Sequence, residues 1–151
     1  MEHSDADLMT IALEQARAAL DHDDVPVGAV VVGPDGMIVA QRHNERELSG
    51  DPTAHAETLA LRDAAKSAGT WRLDGHTLVA TLEPCAMCAG AAQQARIRRV
   101  VFGAMDMKAG VLGSLYNLGA DPRFPHTFDV TMRIREEECA HLLSGFFSSR
   151  R

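Results

Sequence analysis

Two rhythms of apolar residues run along the chain. Leu8, Ile11, Ala12, Ala16, Ala19 and Leu20 recur at the three- and four-residue spacing of one helical face, and Ser4-Asp5-Ala6-Asp7 ahead of them is a capping box. Two short apolar runs, Val27–Val32 and Met37–Gln41, flank the turn residues Gly33-Pro34-Asp35-Gly36 and predict a β-hairpin. A polar loop through Asn44 to Asp51-Pro52 leads into a helix expected from about Thr53 or Ala54 to Ala68, stopped by Gly69. His76–Leu82 reads as a strand, Glu83-Pro84 opens a helix to about Arg96, and Arg99–Phe102 is a buried strand ended by Gly103. The long segment Ala104–Thr127 predicts a functional loop holding a short helix. Phe128–Met132 is a last strand, and Cys139, Leu142, Leu143, Phe146 and Phe147 mark one face of a closing helix. Strands separated by helices become parallel neighbours and the hairpin adds an antiparallel pair. The expected fold is α/β: a mixed sheet of about five strands with helices on both faces.

Composition agrees with one folded domain. The 151 residues are 46% hydrophobic and 24% charged, which excludes disorder and collagen-like repeats. No run of 18 apolar residues exists, so no transmembrane helix is expected, and MEHSDADLMT lacks the basic start and apolar core of a signal peptide. A cytoplasmic location follows as the expectation. The net charge of −6 argues at first against a nucleic-acid partner, but residues 1–25, with seven acids and one base, account for all of it. From Ala86 to Arg135 seven bases face three acids, so any RNA surface is expected in that half.

The candidate chemistry lies in His55-Ala56-Glu57 and Pro84-Cys85-Ala86-Met87-Cys88, each placed where a helix begins. One imidazole and two thiolates suit zinc and balance its charge, and helix N-termini favour the thiolate forms. Cys85 and Cys88 share one side of a first helical turn. His55 and Glu57 stand about 200° apart around a helix, so they converge only on a point off its N-terminus. Three protein ligands with an adjacent carboxylate describe a hydrolytic site. A structural zinc site completed by Cys139, and a thioredoxin-like Cys85–Cys88 redox pair, are the competing readings; Cys139 also suits the apolar face of the closing helix.

His55-Ala56-Glu57 with Pro84-Cys85-x-x-Cys88 resembles the zinc-dependent cytidine and nucleobase deaminases. Val25-Pro26-Val27-Gly28-Ala29-Val30, Asn44, Asp51-Pro52-Thr53-Ala54, Thr81-Leu82-Glu83, Arg99–Ala104, Gly113-Ser114-Leu115 and Phe146-Phe147 extend the likeness to the bacterial tRNA-specific adenosine deaminases. The resemblance implies a single deaminase domain over 1–151 with the three-layer α-β-α cytidine-deaminase-like fold. It implies one zinc per subunit on His55, Cys85 and Cys88, with Glu57 as the catalytic proton shuttle. It further implies substrate contacts from Asn44, Asp106 and Lys108, a homodimer, and a tRNA anticodon stem-loop whose wobble adenosine becomes inosine as ammonia leaves; Phe147 and Arg150 at the end of the chain are further candidates for substrate contact. Arg151 is a second candidate for a phosphate contact. Met105 and Pro125 depart from the residues common in relatives, arginine and asparagine respectively. The alternatives are a free guanine or cytosine deaminase on the same scaffold and a non-catalytic RNA-binding protein of this fold.

Overall fold

A computed structural model describes residues 3–150; Arg151 lies outside the described residues. Helix α1 spans Asp5–Ala18, with Ser4 and Asp7 making the reciprocal capping-box bonds. The chain then tightens into a 3₁₀ turn over Ala19–His22. That change of period rotates Leu20 out of the predicted face and leaves it 41% exposed.

The hairpin forms as β1 (Gly28–Val32) and β2 (Ile38–His43), each shifted by a residue or two from expectation. In the polar loop a short helix, α2 (Arg46–Ser49), appears that the sequence pattern does not predict. Helix α3 covers Ala56–Ala68, starting later than expected because His55 itself is the extended N-cap. Strand β3 is Thr77–Leu82 and helix α4 is Ala86–Gln94, with Cys85 as its N-cap. It ends before Arg96, which adopts a left-handed φ of 63°. Strand β4 runs Arg99–Ala104, straight through the predicted stop at Gly103. The glycine serves close packing there: a Cβ at Gly103 would lie 2.4 Å from the Cys139 sulfur. The long loop contains a 3₁₀ turn at Leu118–Ala120, and β5 (Asp129–Thr131) and α5 (Glu136–Ser148) complete the chain.

The sheet order is β2-β1-β3-β4-β5. β1 is antiparallel to β2 and β3, and β3, β4 and β5 are parallel. Side chains alternate between two cores: Ala29, Val31, Leu78, Val100 and Phe102 join α3 and α4 on one face. Val30, Val32, Val79 and Val101 join α1 and Cys139 of α5 on the other. This period-two split is why the central strands read as continuous apolar runs. Contact is closest at Gly28, where a Cβ would stand 1.9 Å from the Ala12 carbonyl oxygen of α1.

The acids of the N-terminal stretch are not all on an outer surface, as the charge pattern had suggested. Arg99 of β4 donates two bonds, of 2.8 and 2.9 Å, to the Asp5 carboxylate and so ties α1 to the sheet. Asp24 is fully buried and accepts from the Glu47 and Leu48 amides and from His22. Its burial raises its pKa, but those bonds outweigh the effect and hold the carboxyl below the usual range.

The Arg99 guanidinium lowers the Asp5 pKa, with partial burial opposing it. A depressed carboxyl stabilises the fold above its unfolded pKa, and that stability is lost as pH falls through the folded value. Asp5→Asn should therefore cost about 1 kcal/mol at neutral pH. In urea unfolding at a series of pH values, the gap to the parent should shrink below pH 4. A gap that stays constant into acid would show that the ion pair contributes nothing.

Candidate active site

The N-termini of α3 and α4 come together at the carboxyl end of β3, where parallel α/β sheets place their ligand crevices. His55 and Cys85 hold extended backbones at the two N-caps, and neither side chain caps its own helix. The imidazole Nδ1 is thereby free to stand 3.7 Å from the Cys85 sulfur and 3.4 Å from the Cys88 sulfur. All three donor atoms lie within 4.8 Å of one another. A tetrahedral zinc with ordinary Zn–N and Zn–S bonds sets nitrogen and sulfur about 3.6 Å apart, so the donor set fits this metal. Among the described residues no other three such side chains cluster this way. Cys139 is buried against Gly103 on the opposite face of the sheet, so it does not complete the site.

The two thiols share one negative charge: contact with Cys85, and burial, push the Cys88 thiol well above its ordinary value, while Cys85 is drawn down. The Cys88 and His55 side chains bring the Cys85 thiol down to about 4, although burial opposes them. Contact with Cys85 raises the His55 pKa. Glu57 is 4% exposed, and desolvation lifts its carboxyl to about 7 against the pull of His55. A carboxyl poised there can hold or release a proton at neutral pH.

His55, Glu57 and Cys85 open on a cavity of about 240 Å³, also lined by Asn44, Arg46, Glu83, Asp106 and Phe147. Asn44 is oriented at both ends: its Nδ2 donates to the Val25 carbonyl and its Oδ1 accepts from the Arg46 amide. Asp106 accepts from the Lys108 and Ala109 amides, folding its own turn at the rim. Phe147, at the end of α5, presents a half-exposed ring.

Two of the candidate contacts stand apart from the cavity. The Lys108 side chain is exposed and does not line it. Arg150 pairs with Asp23 and lies 3.7 Å over the Phe146 ring, beside a neighbouring depression that shares Val25 and Arg46 with the cavity. Neither departure from the family pattern, Met105 or Pro125, lines the cavity. Met105 packs on the core, and next to Pro125 the His126 ring nitrogen bonds the Ile97 carbonyl.

The basic half of the chain is also more neutralised than its count suggests. Arg99, Arg123, Arg133 and Arg135 are each ion-paired. Arg46 and Glu83 escaped the sequence reading; the second could have been suspected from its place against Pro84-Cys85.

Residues 2–104 match the model of the cytidine and deoxycytidylate deaminase zinc-binding region. The tRNA-specific adenosine deaminase of Bacillus subtilis (strain 168) is 48% identical over 139 residues, 92% of this chain and 86% of that protein. That of Haemophilus influenzae is 46% identical over 147 residues, covering 97% and 85%. A solved structure from studies of A-to-I editing by tRNA:A34 deaminases superposes with a TM-score of 0.86 at 43% identity, covering 90% of this chain and 98% of that one. A guanine deaminase from Nitrosomonas europaea superposes at 0.77 but with only 25% identity, covering 98% and 86%.

Proposed function

Because the chain belongs to the zinc-binding cytidine and deoxycytidylate deaminase family, and within it to the tRNA-specific adenosine deaminases, we propose that it hydrolyses the wobble adenosine of a tRNA anticodon to inosine. The observation that carries this reading is one cavity lined by His55, Cys85, the buried Glu57 and the fixed amide of Asn44, with the third donor, the Cys88 sulfur, 3.4 Å from the His55 nitrogen. Identity of 48% over 92% of the chain to a tRNA deaminase, against 39% over only 65% and 25% over 98% to two guanine deaminases, favours RNA over a free base.

His55, Cys85 and Cys88 would hold the zinc, which when bound supplies the Lewis acidity that makes water a nucleophile near neutral pH. Glu57 is the proton carrier. It takes a proton from the attacking water and gives it to the purine ring nitrogen, then takes the remaining proton from the hydroxyl now on the purine carbon and delivers it to the departing amine. Water and adenosine thus become inosine and ammonia. Asn44, locked by Val25 and Arg46, holds the target nucleotide; Asp106 and Phe147 form part of the cavity wall. Lys108 and Arg150, outside the cavity, serve the flanking phosphates. An anticodon loop suits such a site because its bases are already unpaired, which lowers the cost of flipping one out.

The working unit is a homodimer. Met107, Leu115, Tyr116, Phe124 and Met132 are large, exposed apolar side chains on one segment, the kind of surface a second copy would cover. The protein acts in the cytoplasm, where its substrate is. No helix of the described residues is long and apolar enough to cross a membrane.

The test is ammonia release from an anticodon stem-loop with adenosine at the wobble position, beside free adenosine, cytosine and guanine. Turnover of the stem-loop is expected, and its affinity should fall steeply as salt rises. Turnover of a free base without action on the stem-loop would sink the proposal.

A further inference from the structure

Glu83 is a buried charge for which the chemistry above has no use. It follows the last residue of β3, immediately before Pro84 and the ligand Cys85, and is 1% exposed. Its carboxylate accepts four hydrogen bonds, all from the loop after β4. Oε1 takes the Asp106 amide at 3.0 Å and the Ser114 hydroxyl at 2.5 Å. Oε2 takes the amides of Leu112 and Ser114, both at 3.0 Å. The same two segments meet again where the Val111 amide donates to the Pro84 carbonyl and where Cys85 bridges to Gly110. Gly110 is part of the arrangement: a Cβ there would stand 2.3 Å from the Glu83 carboxyl carbon. Burying a carboxylate is costly unless its acceptor sites are filled, and here a single loop fills them.

We propose that Glu83 is a positioning residue, clamping the Asp106–Ser114 loop to the metal-ligand turn and so setting the wall on which the RNA around the target nucleotide rests. The connection is short. Glu83 fixes the Asp106 amide, and the Asp106 carboxylate in turn fixes Lys108 and Ala109. Asp106 and Ala109 line the cavity. The part of the inference that concerns RNA rests on the function proposed above.

Glu83→Gln in the zinc-loaded full chain tests it. The carboxamide would turn an NH₂ group toward two of the four donors; the Ser114 hydroxyl can reverse and accept from it, but at least one backbone amide bond is lost. Zinc content should stay the same, while KM for the stem-loop rises about tenfold or more and kcat changes less. Hydrogen exchange of the Asp106, Leu112 and Ser114 amides should quicken by about tenfold or more. The Gly28 amide, bonded to Thr81 on the same strand β3, should keep its protection.

Ser114→Ala, which removes one donor only, should show the same changes in weaker form and stands in should the first variant fold poorly. Gly110→Ala should mimic Glu83→Gln, and the two together should be less than additive because they break the same contact. Unchanged loop exchange, or a fall in kcat with KM unmoved, would overturn the positioning role. Loss of zinc from both Glu83→Gln and Ser114→Ala would do so too. A parent protein inactive on the stem-loop would overturn the functional reading instead, and the exchange comparison would still decide on Glu83.

Discussion

Replacing Glu57 by alanine is expected to lower turnover of the stem-loop about 10³-fold or more while the protein keeps one zinc per subunit. The first half follows from the role of the carboxyl. It is buried beside the donors, and desolvation lifts its pKa to about 7, where it can take and give a proton at neutral pH; Glu83, the other buried acid nearby, has its oxygens filled by the loop after β4. General acid–base transfer contributes about 10²–10⁴-fold, and this residue serves more than one transfer. The second half follows from position. Glu57 is outside the donor cluster, two residues inside α3 from the His55 cap. Glu57→Gln, which keeps the shape but cannot carry a proton, should be nearly as inactive, since proton transfer rather than volume is what is missing. Metal analysis by mass spectrometry and a stem-loop assay on one preparation decide the matter. Loss of zinc from both variants would make Glu57 a ligand and refute the assignment.

Cys88→Ala should have the opposite signature, with activity and metal lost together. The Cys88 side chain is fully buried at the centre of the donor set, 3.4 Å from the His55 nitrogen, so no outside group can replace it. Since zinc binds the folded chain, its loss also lowers stability. Zinc at 100 to 1,000 times its dissociation constant is worth about 3–4 kcal/mol. The parent should lose that amount on treatment with a chelator and regain it with added zinc. Cys88→Ala should start from the lower value and be indifferent to chelation. A variant that still bound zinc and melted like the parent would exclude Cys88 from the ligand set.

The local elements and the chemistry could be read from the sequence because each rests on short-range rules. The α1 capping box, the apolar run of the first hairpin strand, and the His55 and Cys85 positions at helix starts all involve neighbours in the chain. What could not be read depends on contacts between distant segments. Asp5 meets Arg99 across 94 positions, and Glu83 meets Leu112 and Ser114 across 29 and 31. No periodicity announces such pairs.

Charge counting failed for the same reason. It treats acids as surface until shown otherwise, whereas Asp24 lies fully buried under the amides of α2. Gly103 misled as a strand end because its true cause, the sulfur of Cys139 pressing on the strand, sits 36 residues away.

The two helix caps carry a consequence for anyone improving this protein. A cap is where aspartate, serine or asparagine adds about 1 kcal/mol to a helix, and here both caps are given to residues that leave the helical amides unserved. Selection on heat resistance in zinc-poor medium would thus reward changes such as His55→Asp, yielding sturdier molecules that have forgotten their trade. A library of this fold should be sorted on turnover before it is sorted on melting.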